Sequence, residues 1–149
     1  MKRKQVREEA FKTLFMIDLG GNEPGKAIFY TLENNLLSAG DRLFFKSLVL
    51  GTMQEITGID SLLSRYLVKW EIGRLAATIR SILRMAVYEM LYAGEVPVIV
   101  AINEAIELAK RYQDEEAARF VNGILDKIRQ EQWPVVSAQR SEKDSDQEC

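Results

Sequence analysis

The sequence predicts an all-α domain of six to seven helices, packed as two small bundles that share one core. Three observations carry this. Apolar residues recur at spacings of three and four in nearly every segment. No stretch alternates for long enough to require a sheet, and nothing repeats at a fixed period. Glycine and proline fall mostly singly between the periodic runs, where they act as punctuation.

The first helix carries Val6, Ala10, Leu14 and Ile17 on one face, with Phe11 and Phe15 beside them. Gly20-Gly21 stops it, and Asn22-Glu23-Pro24-Gly25 is a turn that opens the second helix. Ile28, Leu32 and Leu36 form the second stripe, Gly40 ends that helix, and Asp41 is the expected N-cap of the third. Phe45, Val49, Met53 and Ile56 form the third stripe, until Thr57-Gly58 breaks or bends the chain. Ile59, Leu62, Leu63, Tyr66 and Leu67 then resume helical period, and Trp70–Leu75 is a connection.

A long helix follows, with Ile79, Ile82, Leu83, Ala86 and Met90 as its apolar face. Gly94-Glu95-Val96-Pro97 is the next break, and Val98-Ile99-Val100 reads as an extended lead-in to a helix bearing Ile102, Ala105, Ile106 and Ala109. The last helix places Phe120, Ile124 and Ile128 on one face. Pro134 is expected to end the fold, so the domain spans 1–133 and residues 134–149 form a polar, acidic tail without fixed structure.

Composition narrows the chemistry. The chain has 149 residues, 47% of them apolar and 28% charged, which suits one domain with a core. It has no His, which removes His bases, triads and His metal ligands. Its one Cys is Cys149, so no intrachain disulfide or thiolate zinc site can form. No Gly-rich phosphate loop is present, and Glu104 and Glu107, three apart, read as a solvated or salt-bridged face rather than a catalytic pair. Binding without catalysis and without a cofactor is the expectation. No signal-peptide pattern or membrane-length apolar run appears, so the cytoplasm is expected.

The net charge of −2 hides an asymmetry. Residues 1–13 hold Lys2, Arg3, Lys4, Arg7 and Lys12 against Glu8 and Glu9, whereas the end of the chain is acidic. Arg3 and Arg7 share a helix face that continues into Phe11 and Phe15. Guanidinium groups over an aromatic edge suit RNA, and a solvated terminus over a phenylalanine core is the plainer reading. Arg80 and Arg84 lie in an otherwise apolar helix. Arg84 needs a phosphate, water, or a carboxylate from Glu89, Glu104 or Glu107. In the last helix, Asn122-Gly123 interrupts neither flanking period. Gly123 reads either as close helix packing or as room for a ligand near Asn122, Arg119 and Phe120.

Taken in order, these segments resemble the bacterial NusB transcription antitermination factors. The matching pieces are AFKTLF (Ala10–Phe15), IDSLLSRYLVKW (Ile59–Trp70), RLAATIRSILRMAVYEML (Arg74–Leu91), VPVIVAINEAIELAKRY (Val96–Tyr112) and FVNGILDKI (Phe120–Ile128). The resemblance implies two three-helix bundles. It implies binding to single-stranded boxA RNA together with NusE, a ribosomal protein, within the RNA polymerase antitermination complex, and it leaves a homodimer available. By position it implies that Arg3, Lys4 and Arg7 grip RNA, that Arg84 lines the same groove, and that Arg119 and Phe120 contact RNA, with Asn122 beside them. Phe15, Arg74 and Ile79 would face the protein partner. Two positions depart from the family pattern: Lys4 stands where Arg is common, and Ile79 where an acid is common. The alternative is an interaction module that keeps the fold and does not bind RNA.

Overall fold

The computed structural model describes residues 2–147, with side chains through residue 134 and at residue 139. It contains seven α-helices: α1 (Arg3–Gly20), α2 (Pro24–Glu33), α3 (Ala39–Gln54), α4 (Ile56–Tyr66), α5 (Ala77–Tyr88), α6 (Val98–Tyr112) and α7 (Glu115–Gln147). A 3-10 turn, Ile72–Arg74, precedes α5, and a π-helical turn, Glu89–Ala93, extends it. No strand occurs among the described residues.

The local rules explain most boundaries. Val6, Ala10, Leu14 and Ile17 bury one face of α1, and the helix ends where Gly21 takes a left-handed φ of 63° that a side chain would resist. Pro24 occupies the first turn of α2, where its missing N–H costs nothing, and the Glu23 carboxylate accepts the Gly25 N–H at 3.0 Å. The Val98–Val100 run is already helical, with Pro97 at the N-cap.

Four boundaries differ from the periodic reading. The α2 helix stops at Glu33, because Asn34 and Asn35 turn their side-chain amides back onto the carbonyls of Tyr30 and Thr31. Leu36 is therefore 98% exposed, and Leu37 takes the buried place. Ser38, not Asp41, caps α3: its hydroxyl accepts the Asp41 N–H at 3.2 Å, and Gly40 lies inside the helix. The break between α3 and α4 falls at Glu55 rather than at Thr57-Gly58. Pro134 lies within α7, whose path continues to Gln147. A helical proline removes one backbone hydrogen bond without always ending the helix, and the residues beyond it include the helix-compatible Ala138, Gln139, Arg140, Glu142 and Lys143.

The helices α1, α2 and α3 pack on one another, and so do α5, α6 and α7, while α4 touches α3, α5 and α7. Both α1 and α3 rest on α5, which makes α5 the element common to both halves. Its Ile82, Leu83 and Val87 are fully buried with Phe45, Leu48, Ile59, Leu63, Leu125 and Ile128. Burying each such side chain contributes roughly 1.5–3 kcal/mol, so one continuous core holds both bundles together.

Candidate nucleic-acid interface

The basic residues of α1 divide according to depth. Arg7 is only 3% exposed, and so is Glu89, the first residue of the π-helical turn. Arg7 donates from Nε to Glu89 Oε1 at 2.8 Å and from Nη2 to Oε2 at 3.0 Å. This forked pair is structural, and it corrects the expectation that Arg7 offers its guanidinium to RNA. The spacing correctly placed Arg7 on the Arg3 face, but nothing local revealed that Glu89 covers that part of the face.

Arg3, one turn earlier, remains outside. Its side chain is 55% exposed, and its guanidinium carbon sits 3.9 Å from the centroid of the Phe44 ring. Arg7 lies 5.2 Å from the same centroid. Lys4 donates to Glu107 on α6, and Arg111 donates to Glu8 at 2.7 Å, so two ion pairs fasten α1 alongside α6. Phe11 is buried against Tyr112, with ring centroids 5.0 Å apart, while Phe15 is half-buried and 6.4 Å from Phe11. Glu8 also accepts from the Tyr112 hydroxyl, whose pKa is raised by burial first and then by that carboxylate.

A groove of about 240 Å³ runs between α6 and α7, lined by Ile106, Lys110, Glu115, Ala118, Arg119 and Asn122. Arg119 and Asn122 are exposed beside it. Gly123 follows them in the helix, and a Cβ there would meet nothing within 4 Å, so close packing does not explain the glycine. Phe120 enters a different groove, about 420 Å³ in volume, which it shares with Trp70, Arg74, Leu75 and Ile79. Successive helical residues point about 100° apart, and here that angle separates Arg119 from Phe120. Phe120, expected with the RNA residues, thus joins Arg74 and Ile79, expected on the partner side. Trp70, which the periodic pattern places in a connection, adds an exposed indole to this groove, and an exposed tryptophan in a loop is a signal present in the sequence.

Arg84 lines a cavity of about 230 Å³ with Leu14, Ile17 and Asp18 of α1. It donates from Nε and Nη2 to the two carboxylate oxygens of Asp60, both at 2.8 Å, and from Nη1 to Asp18 at 3.3 Å. Burial alone would lower its pKa, but the Asp60 hydrogen bonds and charge, aided by Asp18, raise it instead. Arg80 donates to Asp18 at 2.9 and 2.6 Å and reaches the carbonyls of Ile72 and Leu75 at 3.2 and 2.9 Å. Both arginine side chains are 13% exposed. The expectation of a carboxylate partner holds, but the partners are Asp60 and Asp18 rather than Glu89, Glu104 or Glu107.

Among the described residues, no three His, Cys, Asp or Glu side chains are grouped so as to hold a metal ion. No helix among them is long and apolar enough to cross a membrane.

Comparison with known proteins is consistent along nearly the whole chain. The NusB family model matches residues 4–130. The transcription antitermination protein NusB of Bacillus velezensis is 44% identical over 87% of this chain and 96% of its own length. Its counterpart in Bacillus subtilis is 43% identical over 87% of this chain and 95% of its own. Among solved structures, T. maritima NusB superposes with a TM-score of 0.81 at 36% identity, over 88% of this chain and 92% of that one. A chain from a complex of the antitermination factors NusB and NusE with double-stranded RNA superposes with a TM-score of 0.78 at 31% identity, over 85% of this chain and 94% of that one.

Proposed function

The chain belongs to the NusB family, and from that premise we propose that it is a transcription antitermination factor that binds boxA RNA jointly with a NusE-like ribosomal protein. The observation that carries the reading is likeness over almost the full length to proteins of that name, including one solved with NusE and RNA. Its role is recruitment into the RNA polymerase antitermination complex in the cytoplasm, by binding and without catalysis.

The geometry distributes the roles. Arg3, Lys4, Arg119 and Asn122 are the exposed groups assigned to RNA, with Lys110 added from the α6–α7 groove. Arg7 and Arg84 act from behind as supports, through Glu89 and Asp60. Arg74, Ile79 and Phe120, which share one groove, are assigned to the protein partner together with Phe15. Ile79 makes that contact apolar where an acid is common in the family.

Fluorescence anisotropy with boxA RNA, with and without the NusE-like partner, tests the reading. Binding should be tighter with the partner present and should weaken with salt by about 0.7 log units per log unit for each phosphate engaged. Partner binding with no RNA response at either salt would overturn it. That outcome would support a protein-only module, the reading favoured by the paired state of Lys4, Arg7 and Arg84.

A further inference from the structure

We infer that Arg3 and Phe44 form a stacking platform for one unpaired RNA base, so that Arg3 reads a base face rather than a phosphate. This rests on the RNA reading above. Four observations support it. The Arg3 guanidinium carbon lies 3.9 Å from the Phe44 centroid, a separation suited to a plane laid on a ring. The Arg3 side chain is 55% exposed, so its opposite face is open to solvent. Phe44 is itself buried, so its ring is held by the core and does not swing. Its α1 edge is fixed by Arg7, which lies 5.2 Å from the same ring and is locked to buried Glu89 through two hydrogen bonds.

The opposing charge on Arg3 is weak. Among the described residues its carboxylate neighbour is Glu95, 4.0 Å away and itself exposed. The exposed Arg3 side chain therefore has one side against the Phe44 ring and the rest open to a ligand. An unpaired base laid on the outer face would complete a ring–guanidinium–base stack, a mode of recognition that single-stranded RNA permits because its bases can turn outward. A lysine in the same place keeps the charge but has no plane to stack.

The test uses the full chain and boxA RNA, intact and with a single abasic site moved along the strand, read by anisotropy with and without the partner. Arg3→Lys is expected to weaken binding to intact RNA roughly ten-fold while leaving the salt slope unchanged. At one abasic position wild type should lose about the same factor, and the variant should lose little more. Phe44→Leu should behave like Arg3→Lys, and if that variant fails to fold, Arg3→Lys decides alone. Affinity of Arg3→Lys within about two-fold of wild type on intact RNA would overturn the platform, because loss of a base stack costs more than that. So would an abasic scan in which variant and wild type never converge. If wild type binds no RNA in either condition, the functional reading fails and this inference fails with it.

Discussion

Arg7 and Glu89 lie 82 positions apart in sequence and meet through two hydrogen bonds, with both residues 3% exposed. Removing one partner leaves the other charged and buried. Glu89→Ala should therefore destabilise the fold by about 3–5 kcal/mol. The double variant Arg7→Met/Glu89→Leu should recover much of that loss. Urea unfolding of the three proteins measures both effects, and a double variant no more stable than Glu89→Ala would contradict the assignment.

Arg84 should affect stability far more than RNA affinity. Arg84→Ala removes the fork on Asp60 and should cost about 2 kcal/mol. RNA affinity of the folded fraction, and its salt slope, should stay within error of wild type. A slope reduced by one phosphate would restore Arg84 to the RNA surface.

Two glycines should respond in opposite directions. A Cβ on Gly51 would lie 2.1 Å from Cζ of Tyr88, so Gly51→Ala displaces the Tyr88 ring from its place on α3 and should cost about 1–3 kcal/mol. Gly123→Ala meets open space inside α7 and should gain about 0.5–1 kcal/mol. Thermal melts give both signs. If RNA approaches the backbone beside Asn122, the stabler Gly123→Ala protein will also bind RNA more weakly.

Tyr66 gives a pH signature. Burial first, and then its hydrogen bond to Glu131 at 2.6 Å, raise the pKa of its hydroxyl above the usual value of about 10. A raised folded-state value means that the stabilisation is fully present below about pH 10 and is lost as pH climbs through the folded value. Tyr66→Phe should flatten that alkaline fall, and tyrosinate absorbance should show one fewer late-titrating group. An unchanged alkaline limb would rule out this linkage.

Helix periodicity made the architecture legible, because the buried stripes of α1, α3, α5 and α7 lie within single elements. Boundaries were lost where side chains competed with the stripe, as when Asn34 and Asn35 capped α2 and exposed Leu36. Recognition of the segments from Ala10 to Ile128 supplied the family, but the site was less legible. Residue type and spacing identified Arg3, Arg7, Arg84 and Arg119 as notable, but could not tell which were covered. Covering depends on Glu89, which reaches Arg7, and on Asp18 and Asp60, which reach Arg84, across stretches of chain that leave no local trace. The separation of Arg119 from Phe120 was available from the helical angle alone.

Asp18 accepts from both Arg80 and Arg84, while Arg80 also holds the carbonyls of Ile72 and Leu75 at the edge of the Phe120 groove. Arg3, with its stacked ring, stands near the opposite end of the same helix, roughly 23 Å away at 1.5 Å per residue. The first helix therefore runs from the proposed RNA platform at Arg3 to Asp18, beside the groove proposed for the protein partner. If the two sites are coupled, Asp18, which holds both arginines, is the group through which α1 would carry that coupling. Linkage of this kind is reciprocal, so RNA and protein partner should strengthen each other by the same factor. Asp18→Asn should uncouple the two affinities while sparing each one alone, turning a lever into two independent handles.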